Sequence, residues 1–162
     1  MEGTLSRSVV WLGVLLWFST AALGVEERVL RVIDGDTLIV LQPPNAWVYI
    51  RLAEIDAPEH NQPYGTEARD ALIALVGYGN VRIVETAHDR YGRTVARLYV
   101  GRTDVSAALV RQGCAWVYRQ YAHDPTLYIA EEEARRARRG LWAEDHPIPP
   151  WEWRTRQRNH SR

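Results

Sequence analysis

Between residues 28 and 100 the chain offers short runs of alternating apolar and polar side chains, and a single helical stretch interrupts them. That pattern limits the possible fold more than any other feature. Residues 28–32 alternate as a half-buried strand does. Asp34-Gly35-Asp36 turns the chain, and residues 37–41 are β-branched or apolar. Pro43-Pro44-Asn45 makes a second turn. Residues 47–52 follow with Val48, Ile50 and Leu52 on one face and Trp47, Tyr49 and Arg51 on the other, so Arg51 points away from the apolar side of its own strand. Residues 66–76 place Ala68, Ala71, Leu72, Leu75 and Val76 at helical spacing, and Gly77 and Gly79 end that helix. Residues 81–85 and 95–100 read as the fourth and fifth strands, joined through a turn at 89–93. Asp104 can cap a helix over 105–112, with Gly113 past its end. Asp124-Pro125 opens a third helix that runs to about Arg139 and stops at Gly140. One helix between the third and fourth strands and two after the fifth do not fit a βαβ alternation. They predict an α+β, mainly β fold: a small five-stranded barrel with three helices to one side.

An apolar content of 46% over 162 residues supplies the core of one domain. The formal net charge is zero, so affinity for a polyanion has to be local rather than a property of the whole surface. Every side-chain cation besides histidine is arginine, a planar fork of fixed charge. The single cysteine, Cys114, has no internal disulfide partner and reads as a small hydrophobe. At the N-terminus, Arg7 precedes an apolar run over 9–18, small residues occupy 19–22, and Glu26 and Glu27 follow. This is the layout of a secretory signal over residues 1–24 and predicts a secreted or periplasmic protein, with an uncleaved membrane anchor as the lesser reading. The folded domain then covers 25–143. Residues 144–162 are rich in Pro, Trp and Arg and lack periodicity. They read as a tail that docks Trp151 and Trp153 on the body and frays, leaving Arg154, Arg156, Arg158 and Arg162 solvated.

The chemistry concentrates in residues 33–59. Asp36, Asp56 and Glu59 are carboxylates on two neighbouring strands and the loop after them, and Arg51 lies on the second of those strands. Arg93 arrives later in Asp-Arg-Tyr-Gly-Arg. Carboxylate oxygens suit a hard cation. Forked guanidiniums suit a phosphate held through paired N–H donors. Taken singly, each residue has a plain structural role: Asp34 and Asp36 in a turn, Arg51 in a surface ion pair, Arg93 in a solvated loop. The five histidines show no zinc-ligand spacing.

Ile33-Asp34-Gly35-Asp36-Thr37, Arg51-Leu52, Asp56-Ala57-Pro58-Glu59, Tyr64-Gly65 with Glu67-Ala68, Asp89-Arg90-Tyr91-Gly92-Arg93 and residues 108–113 occur in that order. The ordered set strongly resembles the staphylococcal-nuclease-like (thermonuclease) family, over about residues 28–142. The resemblance implies a five-stranded OB-fold Greek-key barrel. It implies Ca²⁺ held by Asp36, Asp56 and the backbone carbonyl of Ala57, and catalytic roles for Arg51, Glu59 and Arg93. Arg90, Tyr91 and Tyr121 match substrate-binding positions. The activity implied is calcium-dependent hydrolysis of DNA and RNA to 3′-phosphate products. Little sequence preference and a preference for single strands are expected because no base-reading element is visible and tyrosine stacking tolerates any base, and a monomer with no stable protein partner is expected. The competing reading is a non-catalytic nucleic-acid- or partner-binding module on the same barrel. An exported structural protein is a third.

Overall fold

A computed structural model describes residues 26–160; the expected signal segment at 1–24 lies outside the described residues. Strands β1 (Glu26–Val32), β2 (Thr37–Gln42) and β3 (Ala46–Leu52) form an antiparallel meander. The two-residue strand β4 (Ile55–Asp56) and helix α1 (Gly65–Val76) come next, then β5 (Asn80–His88) and β6 (Thr94–Val100) as a hairpin. β5 pairs back onto β1 antiparallel, and β6 pairs β3 in parallel. Strands β1, β2, β3, β5 and β6 therefore close into the expected five-stranded barrel. A short β7 (Thr103–Asp104) extends β6, and β8 (Trp116–Val117) pairs β4.

The alternation of the strands decides which residues fill the barrel. Leu38, Val40, Ile50, Leu52, Val81 and Leu98 are fully enclosed, and α1 adds Ala68 and Leu72 to the same cluster. Helix α2 (Val105–Gln112) starts at Asp104, whose side chain accepts from the Ala107 amide, and ends at Gly113 in the left-handed region. Helix α3 (Pro125–Arg136) starts where Asp124-Pro125 predicts and stops three residues short of the expected Arg139. Arg138 and Gly140 both take positive φ there, and the Leu141 amide donates to the Gly113 carbonyl at 2.9 Å. A side chain on Gly140 would meet that carbonyl at 2.3 Å, so the α2 and α3 ends approach backbone to backbone.

The largest departure from expectation is the C-terminus. In place of a fraying tail, a 3₁₀ turn (Gly140–Ala143) leads into a fourth helix, α4 (Pro150–His160). Pro150 opens α4 at a position where a missing N–H costs nothing. Glu152 lies in the first turn and Arg158 and His160 in the last, as the helix dipole favours. The helix is anchored by aromatic rings. Trp116 meets Trp142 and Trp151 edge-on, at 4.3 and 5.7 Å between centroids, and Trp151 stacks on Tyr118 at 5.8 Å with 4° between planes. The expected tryptophan docking is thus present for Trp151, with a regular helix behind it. Among the described residues, no helix is long and apolar enough to cross a membrane.

Candidate active site

The strand register gathers the site. Thr37 pairs with Arg51 across β2–β3, and the Leu52 amide donates to the Asp36 carbonyl at 2.8 Å. The parallel β3–β6 seam sets Arg51 against Val95 and so brings Arg93, just ahead of β6, to the same end of the barrel. The β4–β8 pairing places Asp56 beside Trp116 and delivers Tyr118. Gly35 packs on α1 so closely that a Cβ there would lie 2.7 Å from the Ala57 Cβ and 2.8 Å from that of Ala68. Gly65 packs against the Glu59 carbonyl, 1.9 Å from where its Cβ would be.

Asp36 and Asp56 are buried; Asp56 accepts from Arg51 Nη2 at 2.9 Å, and the same nitrogen forms an ion pair with Asp36 at 3.1 Å. Arg51 Nη1 donates to the Leu52 carbonyl at 2.7 Å, which fixes the guanidinium plane. The Ala57 amide donates to Asp36 Oδ2 at 2.7 Å, so Ala57 meets the pocket through its N–H. Thr37 Oγ1 donates to Asp36 Oδ1 at 3.1 Å and accepts from Arg93 Nη1 at 3.3 Å. Arg93 is thereby one hydroxyl removed from Asp36. Its Nε is held by Asp89 at 2.7 Å. Asp34 is the turn residue that the sequence suggests: its carboxylate accepts from the Asp36 amide at 3.1 Å.

The carboxylates outnumber their cations. Burial, then the charge of Asp36, pushes the Asp34 pKa up to about 6. Burial likewise raises Asp56; a hydrogen bond from Arg154 opposes the rise and the charge of Asp36 adds to it. Asp36, Asp56 and Glu59 share two guanidiniums, those of Arg51 and Arg154, and together they form a pocket rich in carboxylate oxygen. That donor set fits a hard divalent cation such as Ca²⁺. Among the described residues, no group of three or more His, Cys, Asp or Glu side chains stands where it could hold a metal ion, so the side-chain donors on offer are the two carboxylates of Asp36 and Asp56.

These groups line a cleft of about 800 Å³ with arginines and tyrosines around its mouth. Tyr91 and Tyr121 expose their rings, and Arg90 donates to the Tyr91 hydroxyl at 2.7 Å while lying over its ring. The Tyr121 loop is pinned by Glu54, which accepts from the His123 and Asp124 amides and pairs with Arg97. All the residues singled out in the sequence for catalysis, metal or substrate therefore share one cleft.

One cleft residue departs from the expectation set by the sequence. Arg154 is not a solvated terminal arginine: its Nη2 meets Asp56 Oδ2 at 2.7 Å and its Nη1 meets Glu59 Oε1 at 2.7 Å. It comes from α4, together with Thr155 and Arg158 in the cleft lining. The helix-start signal at Pro150 and the dipole-favoured charges could have revealed the helix. No local signal ties Arg154 to an acid 98 positions away.

Comparison with known proteins agrees with this geometry. The family model described as staphylococcal nuclease homologue matches residues 49–144. An uncharacterized endonuclease of Haemophilus influenzae is 39% identical over 158 residues, covering 95% of this chain and 89% of the relative. An uncharacterized endonuclease of Escherichia coli O157:H7 is 44% identical over 147 residues, covering 89% of this chain and 95% of the relative. The micrococcal nuclease of Shigella flexneri is 38% identical over 164 residues, covering 94% of each. With the barrel, the seam and the acid–arginine cleft in place, the chain belongs to the staphylococcal nuclease family.

Proposed function

We propose that this protein is an exported, calcium-dependent nuclease that hydrolyses phosphodiester bonds of DNA and RNA with little sequence preference. The observation that supports the reading most is Arg51 paired directly with the buried Asp36 and Asp56, with Arg93 brought beside them through the Thr37 hydroxyl. Asp36, Asp56 and the Ala57 carbonyl would hold the metal. When bound, Ca²⁺ supplies a fixed positive charge beside a phosphodiester oxygen. Arg51 and Arg93 bind the other phosphate oxygens and do so more strongly as charge develops on them. Thr37 and Asp89 keep the Arg93 fork in place before substrate arrives. Glu59, a third exposed, orients a water and takes its proton. Attack of that water forms a new P–O bond as the P–O5′ bond breaks, leaving a 3′-phosphate and a 5′-hydroxyl whose proton comes from solvent in the open cleft.

Tyr91 and Tyr121 supply exposed rings on which any base can stack, so single strands should be preferred over intact duplex. The export assignment rests on the charged, apolar and small-residue segments of residues 1–24. The protein is expected to act as a monomer, since its cleft is complete within one chain.

The deciding experiment is hydrolysis of denatured DNA and of RNA with Ca²⁺, with and without EGTA, followed by end-group analysis. Calcium-dependent cleavage leaving 3′-phosphates is expected. Cleavage that survives EGTA removes the metal role. Binding of DNA without cleavage in Ca²⁺ turns the protein into a recognition module.

A further inference from the structure

Three contacts join the C-terminal segment to the loop that carries Glu59. Gln62, 6% exposed, donates to the Ile148 carbonyl at 2.6 Å. The indole N–H of Trp153 donates to Asn61 at 3.3 Å. Arg154 then reaches over Glu59, meeting its Oε1 at 2.7 Å and clasping both oxygens of Asp56 at 3.2 and 2.7 Å. Gln62 also accepts from the Glu59 amide at 3.1 Å, so the Ile148 tie reaches the backbone of Glu59 itself. The C-terminal partners Ile148, Trp153 and Arg154 lie past residue 144, beyond the stretch matched by the family model.

We propose that Arg154 is a positioning residue, and that α4 braces Glu59 for the reaction. The proposal rests on the nuclease reading above. A base must hold its oxygen within a fraction of an ångström of its working position, and a loop does this poorly by itself. Glu59 follows a proline on a loop and lies a third exposed. Arg154 links it to Asp56, which is almost wholly enclosed and already fixed by Arg51. The two nitrogens of one planar fork span two carboxylates from different positions, which a lysine ammonium cannot reproduce. Arg154 engages only Oε1 of Glu59, so Oε2 is left for a water. The ties through Gln62 and Asn61 grip the loop that carries Glu59, while Arg154 itself lies in the cleft lining over Asp56, so kinetics separate a brace from a plug.

The test uses the full chain with Arg154→Ala and Arg154→Lys. Steady-state cleavage of single-stranded DNA is measured at saturating Ca²⁺, alongside thermal unfolding. Hydrogen exchange of residues 57–64 is followed in the metal-free protein. Arg154→Ala should lower kcat by about a hundredfold, the scale of an ångström of misplacement, with KM little changed. Arg154→Lys should recover part of it. Exchange should quicken at 57–64 and stay the same in β5 and β6. A kcat equal to or above the parent's overturns the proposal, as a removed plug would give. So does a loss confined to KM, which would make Arg154 a phosphate contact. Should Arg154→Ala fail to fold, Gln62→Ala cuts the Ile148 tie and must show the same fall in kcat and the same loop exchange. A parent protein that cleaves nothing defeats the nuclease reading, whereas the exchange measurement, made without metal or substrate, still judges the brace.

Discussion

At the scale of single residues, Arg93 is the sharpest probe of the proposed chemistry. Its Nε is anchored on Asp89 and its Nη1 rests on Thr37, so removing the side chain leaves the barrel seam intact and takes away a charged donor. Arg93→Ala should reduce kcat on the order of a thousandfold while the melting temperature barely moves, as read by steady-state kinetics and calorimetry. Glu27 gives a test of stability far from the cleft. Its Oε1 accepts from Gln42 at 2.8 Å, but its buried Oε2 has no partner among the described residues. Burial raises its pKa, and the Gln42 bond only partly offsets this. The folded protein therefore holds that proton more tightly than the unfolded chain. The associated stability is present below the unfolded carboxylate pKa and is lost as pH rises through the higher folded one. Glu27→Gln should gain roughly 1 kcal/mol at neutral pH by removing a buried, half-satisfied charge. The gain should shrink as pH falls through the carboxylate range, which denaturant unfolding at several pH values would show.

At the scale of elements, Trp116 joins the two halves of the site. It belongs to β8, where it pairs with the Asp56 strand, and its ring touches Trp142 and Trp151 ahead of and within α4. Trp116→Ala should cost about 3 kcal/mol through the cavity it leaves and should loosen α4 before the barrel, seen as early exchange of the α4 amides. The elements also show what the sequence could reveal. Strand β3 was legible because it buries one face, so Ile50 and Leu52 alternate with Tyr49 and Arg51, and β2 because it is a continuous β-branched and apolar run buried from Thr37 to Val40. Helices α2 and α3 were legible from Asp104 and from Asp124-Pro125, whose side-chain and φ preferences act within a few residues. Helix α4 offered only its Pro150 start and its terminal charges, because its apolar residues are two tryptophans on a strongly polar background, and it holds through contacts with Trp116 and Tyr118 rather than through an apolar stripe of its own. The two-residue strands β4 and β8 are too short to show any period. Asp36, Arg51, Asp56, Glu59 and Arg93 could be picked out as an ordered set, but Arg154 becomes visible only once α4 is folded against them.

At the scale of the whole molecule, the pairing that completes the barrel is the parallel seam of β3 and β6, in which Ile50, Arg51 and Leu52 meet Thr94, Val95 and Ala96. The Ala53 amide continues it with a 2.8 Å bond to the Ala96 carbonyl. Every other barrel pairing is antiparallel. Contacts this distant in sequence form late, since they must first overcome the entropy of closing a long loop. During refolding from denaturant, DNA cleavage should therefore return at the same rate as amide protection of β6, and cleavage that precedes protection would contradict this order. On the proposed nuclease reading, a newly made chain whose two seam strands are still separated keeps Arg51 and Arg93 apart and stays harmless until the barrel shuts.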